Sequence, residues 1–277
     1  MVLVTCLVLG LVVSPVRGAV VGSTYYFRAT WYDSEFRLDS GDTFKSTTTG
    51  EFKVHVFNAT KVSGHDVYQY NYNGFHYVTG AVAMNANDTV QFQDNKVFFS
   101  LNTADQDHDN KSESSSLVIY PATSSAHPGR NLFVNPVWTT HTTDWNTAVN
   151  QAQDNPAVKS LTQAAGDGDF SLTIEVNIEG TVPVGSHVEP ANGTGTHSFS
   201  AAYDDDGILL SWSYSYTVRL TSENHTAYTK LAGSVVRTSG VGAGPVTDAS
   251  LASAATYLGL GAIAGLVIGG YVGKKYA

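Results

Sequence analysis

Apolar and polar residues alternate over much of the chain, as they do in strands that bury one face. Tyrosines alternate with polar residues over residues 66–72, and a second apolar run occupies residues 75–84. The pair Asn73-Gly74 lies between the two runs. An Asn-Gly pair in this position predicts a tight turn and therefore a β-hairpin.

Two further hairpins are predicted from the same pattern. One joins residues 89–92 to residues 96–101, and the other joins residues 198–203 to residues 208–221 through an Asp-Gly turn at residues 204–207. In the last of these runs the aromatic and aliphatic side chains occupy alternate positions. We expect them to be buried, with the intervening serines and threonine on the opposite face.

Single strands are predicted wherever a short apolar or alternating run is bounded by turn residues. They are residues 24–32, 51–58, 117–120, 170–178 and 226–236.

Two short helices interrupt this pattern. Residues 144–154 place apolar side chains at helical spacing, and Asn155-Pro156 then supplies an N-cap and a first helical residue for a second helix that ends near Gly166. The predicted fold is therefore α+β and mainly antiparallel β. It is a curved sheet, half-barrel or sandwich with one or two short covering helices, plus a C-terminal transmembrane helix.

The two ends of the chain predict export and membrane anchoring. Residues 2–13 are almost continuously apolar and precede small residues, as in a secretory signal peptide. Residues 251–273 carry no charge and are long enough to cross a bilayer, and Lys274-Lys275 follow on the expected cytoplasmic side. The predicted organisation is a signal peptide (1–19), a β-rich ectodomain (20–236), a flexible Gly/Ser/Pro stalk (237–250), a transmembrane helix (251–273) and a cytoplasmic tail (274–277).

The predicted membrane span carries a glycine at every fourth position: Gly261, Gly265, Gly269 and Gly273. Such a face lets two helices approach closely, which favours a homodimer, although glycine is also frequent in membrane helices in general. The expected location is the cell membrane, as a type I single-pass protein with an extracellular ectodomain. In a eukaryotic cell, the terminal lysine pair would instead indicate the membrane of the endoplasmic reticulum.

Composition and charge narrow the functional classes. The 277 residues include 15 basic and 24 acidic side chains, for a net charge of −9. Arg17, Lys274 and Lys275 lie outside the predicted exterior part, residues 20–250, which leaves 12 basic against 24 acidic residues there and a net charge of −12. Such a surface repels nucleic acid. The single cysteine, Cys6, leaves with the signal peptide, so the mature chain has neither a disulfide nor a thiol nucleophile.

The familiar catalytic and nucleotide-binding motifs are absent from the sequence. We therefore expect no catalytic residues, no cofactor and no enzymatic activity. Asp105, Asp107 and Asp109 alternate in one loop and form a candidate Ca²⁺ site. The alternative is a solvated acidic loop, because the glycine and glutamate of a standard calcium loop are missing.

Two further sets of residues indicate modification and ligand binding. Five Asn-x-Ser/Thr sequons predict N-glycosylation at Asn58, Asn87, Asn110, Asn192 and Asn224. Aromatic side chains on the predicted strands could line a hydrophobic cavity or simply pack the core. The cavity candidates are Tyr68, Tyr70, Tyr72, Trp212 and Tyr214.

The organisation of the chain resembles archaeal cell-surface proteins of the choice-of-anchor type. The resemblance rests on residues 41–44 leading into the strand at 51–57, the turn and strand at 203–210, and the glycine-rich span ending in Lys274-Lys275. It implies a secretion signal, one β-rich ectodomain, a low-complexity stalk and a short C-terminal membrane anchor. The topology, the sequons, the stalk and the lack of a catalytic set favour a membrane-anchored surface glycoprotein that binds or adheres without catalysis, with an unknown extracellular protein, glycan or lipid as its ligand. The alternatives are a membrane-tethered carrier of a hydrophobic ligand and a carboxylate-dependent hydrolase.

Overall fold

Long strands dominate the computed structural model, which describes residues 21–62, 65–76, 84–91, 95–120 and 132–240. The strands are β1 (Thr24–Leu38), β2 (Thr43–Val62), β3 (His65–His76), β4 (Met84–Gln91), β5 (Phe98–Ala104), β6 (Ser114–Tyr120), β7 (Val158–Ala165), β8 (Asp169–Val184), β9 (His187–Tyr203), β10 (Leu209–Thr221) and β11 (Thr226–Thr238). The helix α1 (Trp138–Gln153) lies between β6 and β7.

Nine strands form one open antiparallel sheet in the order β4-β3-β2-β1-β11-β10-β9-β8-β7. The first and last described strands meet near the centre of the sheet, where β1 pairs with β11. Strands β5 and β6 form a separate two-stranded hairpin. The prediction of a mainly antiparallel α+β fold with a covering helix is confirmed.

Strict alternation along β8 gives the sheet two different faces. Phe170, Leu172 and Ile174 are buried on one side, whereas Ser171 and Thr173 between them are exposed on the other. We call these the inner face and the outer face. Burial of large apolar side chains contributes about 1.5–3 kcal/mol each, so the inner face supplies most of the stabilising energy.

Helix α1 and the hairpin β5–β6 close the inner face over β7 and β8, and together they are called the cover. Trp145 of α1 is fully buried at their junction. Its ring lies 5.0 Å from that of Phe99 in the hairpin and 5.3 Å from that of Phe170 in the sheet. One indole therefore joins all three parts of the core.

Close approach of the backbones makes glycine necessary at one place on β9. A Cβ atom on Gly193 would lie 1.7 Å from the carbonyl oxygen of Arg219 on β10. Such an overlap with backbone cannot be relieved by a side-chain rotation. The strands β9 and β10 could not keep this separation with any larger residue.

The hairpin predicted at residues 198–221 is confirmed, since β9 and β10 pair antiparallel throughout. Its turn ends at Gly207, which has a φ of +76°. The nitrogen of Val134 donates to the carbonyl oxygen of Gly207, and Phe133 forms an antiparallel bridge with Ile208. The turn is thereby fastened to residues 132–136, the segment that leads into α1.

The first predicted helix is confirmed within α1, but the second is wrong. Residues 158–165 form strand β7, an edge strand paired with β8. The side chain of Asn155 accepts a hydrogen bond from the nitrogen of Ala157 at 3.0 Å and closes a turn instead of starting a helix. The local capping signal was present, but pairing with β8 decided the conformation.

The two other predicted hairpins are also wrong. Asn73 and Gly74 lie inside β3 and pair with β2 and β4 rather than forming a turn. Strand β4 pairs with β3 and strand β5 pairs with β6, so residues 89–101 do not form a hairpin. The Asn95 side chain instead donates to the carbonyl oxygen of Phe133.

The predicted signal peptide, most of the stalk, the membrane span and the tail lie outside the described residues. The glycines Gly261, Gly265, Gly269 and Gly273 and the proposed helix–helix dimer therefore lie there too. Within the described ranges, the helix falls short of the length and apolar character needed to cross a bilayer.

Candidate functional site

The predicted cavity residues whose side chains are described lie on the inner face, but in two separate places. Tyr68 and Tyr70 are on β3, whereas Trp212 and Tyr214 are on β10, with three strands between them. Tyr72 is also on β3, and its side chain lies outside the described part. The structure does not bring the five residues together into one site.

The described aromatic positions are packed against neighbouring rings. Tyr70 is fully buried, with its ring 5.8 Å from that of Phe133. Trp212 is 7% exposed and meets Phe199 edge to face at 6.2 Å. These contacts are those of a packed core.

A buried serine–histidine–tyrosine chain connects the cover to the sheet. The Oγ of Ser115 on β6 lies 2.7 Å from Nε2 of His197 on β9, and the hydroxyl of Tyr214 lies 3.1 Å from Nδ1. The ring of Tyr216 stacks on the imidazole at 4.2 Å. Burial lowers the pKa of His197 to about 3, so the ring is neutral at physiological pH.

A second buried histidine, His141, occupies the other side of the cover. Its Nδ1 accepts a hydrogen bond from the nitrogen of Val97 at 2.8 Å, and its Nε2 bonds to the carbonyl oxygen of Asn135. These two partners assign the proton to Nε2. Burial lowers the pKa of His141, although the hydrogen bond to Asn135 acts in the opposite direction.

The predicted calcium-binding residues do converge. Asp105, Asp107 and Asp109 each offer an oxygen within 4.8 Å of the others in the loop between β5 and β6. His108 and Asn110 have φ values of +62° and +66°, which wind the loop tightly. One oxygen of Asp105, Oδ1, is buried without a hydrogen-bond partner. Calcium binding at these residues stays a prediction.

A lysine already supplies positive charge beside this acidic loop. The Nζ of Lys111 bonds to Asp109 and to Glu179 on β8. The hydrogen bonds to Asp109 and Glu179 raise the pKa of Lys111, so its ammonium group remains charged. Asp107, Glu113 and Glu179 form a second acidic group around it. This network fastens the loop to the main sheet.

The sequon asparagines whose side chains are described are all exposed. They are Asn58 on β2, Asn110 in the acidic loop, Asn192 on β9 and Asn224 in the turn after β10. Asn87 lies on β4, and its side chain is outside the described part. Exposure is a requirement for glycosylation, so these four positions meet it.

The outer face of β8, β9 and β10 carries rows of hydroxyl groups in register. Ser171 pairs with Ser200, which pairs with Ser213, and the hydroxyls of Ser200 and Ser213 lie 2.8 Å apart. The adjacent row consists of Thr173, Ser198 and Ser215. We call these six residues the hydroxyl face.

Charged residues border the hydroxyl face on both sides. Lys230 on β11 donates to Asp33 on β1 at 2.8 Å, and this hydrogen bond lowers the pKa of Asp33. Lys159 on β7 donates to Glu175 on β8 at 2.9 Å. The outer face therefore presents neutral hydroxyls between two sets of ion pairs.

Sequence reasoning missed His141, His197 and Ser115. The nine histidines are scattered along the chain, and Ser115 and His197 are 82 residues apart. The available signal was the position of His197, which lies two residues before Phe199 and four before Ala201 on the buried face of β9. It marks a buried position, but it does not reveal the partner.

No protein-family model matches the chain, and no curated protein matches it. Among solved structures, the chain is similar to a lipovitellin structure that addresses lipid–protein interactions, with a TM-score of 0.33 and 10% sequence identity. The similarity covers 83% of this chain and 26% of that one, so this chain spans about a quarter of its length. A likeness this weak supports no functional conclusion.

Proposed function

We propose that this chain is an exported, membrane-anchored surface glycoprotein whose β-rich domain is a non-enzymatic binding module. The main support is the contrast between the two faces of β8–β10. The inner face is closed by the cover, whereas Ser171, Thr173, Ser200 and Ser213 on the outer face are exposed. A rigid sheet with an accessible polar face is suited to binding another macromolecule.

The buried Ser115–His197 pair supports a structural role rather than catalysis. Its 2.7 Å contact has the geometry of a nucleophile beside a base. However, His197 is fully buried and Ser115 is 6% exposed. A substrate carbonyl could not reach the serine oxygen while the cover is in place.

Export and anchoring can be tested with two versions of the chain, one complete and one ending at residue 250. Both carry an epitope tag after residue 20 and are expressed in a host with a secretory pathway. We expect the complete chain in the membrane fraction, with the tag removed by protease added to intact cells. The truncated chain should appear in the medium, and recovery of the complete chain in the soluble cell fraction would refute the proposal.

Glycosylation is tested on the same material by mass spectrometry. Replacement of Asn110 and Asn224 by Gln should reduce the mass by two glycans, because both side chains are exposed. An unmodified polypeptide mass for the exported chain would contradict the glycoprotein assignment.

Binding through the hydroxyl face can be blocked by one added glycan. The substitution Ser171→Asn creates the sequon Asn-Leu-Thr on the exposed outer face. Cells that display this variant should lose adhesion to immobilised envelope material that the unmodified chain retains. The matched control is Asn224→Gln, which changes the number of glycans at the end of the sheet, away from the hydroxyl face. Equal adhesion by the unmodified chain and both variants would exclude the hydroxyl face as the binding surface.

A carrier of a hydrophobic ligand would need room on the inner face, and this alternative stays a prediction. At two of its candidate positions, Tyr70 and Trp212, the rings instead pack against Phe133 and Phe199. Organic extraction of the purified chain followed by mass spectrometry separates the two functions. A lipid at one or more equivalents per chain would favour the carrier.

A further inference from the structure

Two buried histidines hold the cover in place, and neither belongs to the proposed binding face. His197 joins the sheet to the hairpin through Ser115, and His141 joins α1 to the start of the hairpin at Val97. Both side chains are fully buried. The helix, the hairpin and the sheet are thus linked by two imidazole rings.

His141 cannot accept a proton without losing a hydrogen bond. Its Nδ1 already receives the hydrogen of the Val97 nitrogen, and its Nε2 donates to Asn135. A proton added to Nδ1 would face the Val97 hydrogen directly. The charged ring would therefore break the link between α1 and β5.

The groups that surround His141 give its charged form little support. Two charged groups face His141: Lys96, just before β5, and Asp144, on α1 itself. Lys96 and Asp144 form an ion pair with each other at 3.1 Å. The sheet contributes Phe170, whose ring lies 6.1 Å away. The lysine and the aspartate largely cancel, so burial decides the cost of the charge.

Among the described residues, the groups that pack against His197 are uncharged. Ser115 comes from the hairpin, Tyr214 and Tyr216 from β10, and Ile174 lies opposite on β8. Burial also raises the pKa of Tyr216 to about 12, so both tyrosines stay neutral. A charged His197 would have hydroxyl partners but no compensating anion.

We propose that the cover is an acid-sensitive closure, released from the inner face when His141 and His197 take up protons. Opening brings both rings into water, where they bind protons near the ordinary histidine pKa of about 6.5. Acid therefore favours the open state. Opening exposes an aromatic interface formed by Phe170 of the inner face and by Trp145 and Phe99 of the cover.

Hydrogen–deuterium exchange of the full chain in detergent tests this closure between pH 6.0 and pH 5.0, above the carboxylate range. After correction for the intrinsic pH dependence, exchange in β5, β6 and α1 should accelerate by up to about 100-fold per pH unit, the limit for two protons. Exchange in β8 and β9, which requires the sheet itself to unfold, should remain far slower than exchange in the cover at both pH values. Equal exchange rates in the cover and the sheet, or no acceleration of the cover, would overturn the proposal.

The pH slope of exchange gives the number of protons bound when the cover opens, and substitutions show which histidines bind them. His141→Gln offers the Val97 nitrogen an amide oxygen but does not titrate, so the slope should fall to about 10-fold per pH unit. His197→Gln should lower the slope by the same amount, and it replaces the first variant in this test if that variant does not fold. Ser115→Ala should speed opening without changing the slope. The control is His187→Asn, because His187 is exposed, and its exchange should have the same pH slope as that of the unmodified chain. An unchanged slope in both buried-histidine variants would refute the mechanism.

Discussion

The inner and outer faces of β8–β10 belong to the same strands but differ in environment, because the inner face is buried and the outer face is largely exposed. The inner face buries large apolar side chains together with His197, whose imidazole is kept neutral by burial. On the outer face, serines and threonines lie in register and remain in contact with water. The inner face therefore determines stability, and the outer face is free to determine recognition.

This difference predicts unequal tolerance to substitution. A large side chain removed from the inner face leaves a cavity that the cover cannot fill. A hydroxyl removed from the outer face is replaced by water. Four measurements test that contrast, and they are arranged by the size of the expected effect.

The largest loss is expected for Trp145→Ala, at about 3–5 kcal/mol of unfolding free energy. The indole is fully buried and contacts Phe99, Phe170 and Phe199. Urea unfolding followed by circular dichroism measures the loss. Thr143→Ala on the exposed side of the same helix is the control and should change the unfolding free energy by less than about 0.5 kcal/mol.

Gly193→Ala should cost about 1–3 kcal/mol, because the added methyl group would overlap the carbonyl of Arg219. Gly166→Ala is the matched control, since a Cβ at that position meets no atom within 4 Å. Thermal unfolding of the two variants compares them directly. Equal midpoints would mean that the close approach of β9 and β10 is not required.

Acid should destabilise the fold through the inner face. The native pKa values of His197 and His141 are lowered, so the unfolded chain binds more protons below its histidine pKa of about 6.5. The unfolding free energy should be constant above that pH. It should then fall by up to about 1.4 kcal/mol per pH unit for each histidine, continuing toward pH 3 for His197. Urea titrations at pH 7.5 and pH 5.5 measure this, and a higher stability at pH 5.5 would contradict it.

The smallest effect is expected on the outer face. Ser200→Ala removes the 2.8 Å contact with Ser213, but both side chains are exposed. We expect a change of less than about 0.5 kcal/mol in unfolding free energy. A loss as large as that of Trp145→Ala would show that the outer face is part of the structural core.

The strands were predictable because their signal is local. Alternation along residues 208–221 correctly identified the buried side chains Trp212, Tyr216 and Leu220 and a polar opposite face. The Asp-Gly turn before them also formed as expected, with Gly207 at positive φ. A local pattern is enough to predict a hairpin when the turn residues and the alternation of buried side chains indicate the same strand boundaries.

Pairing was predictable only where the partners are adjacent in sequence. The Asn73-Gly74 pair is a strong turn signal, yet it lies between two partner strands, β2 and β4, which impose an extended backbone. Residues 158–165 have a helix-like apolar spacing, yet they add to the sheet edge beside β8. In both cases hydrogen bonds to distant residues outweighed the local preference.

The candidate sites also differ in whether their residues are near or distant in sequence, and only contacts between near residues could be predicted. Asp105, Asp107 and Asp109 share one loop, and their convergence followed from their spacing. Lys111 is equally close in sequence, but its bond to Glu179 spans 68 residues and could not be anticipated. Tyr70 and Trp212 are both buried on the inner face, but their separation is set by the strand order, which the sequence does not reveal.

By itself the sequence determined the strand-rich class, the burial of alternate side chains and the acidic exterior, because these follow from residue type and local periodicity. It also predicts the exported and anchored organisation. The tertiary structure decided the strand order, the presence of one helix rather than two between residues 138 and 166, and the burial of His141 and His197. Those features depend on contacts between residues far apart in the chain, and the energy of such contacts exists only once the sheet has formed.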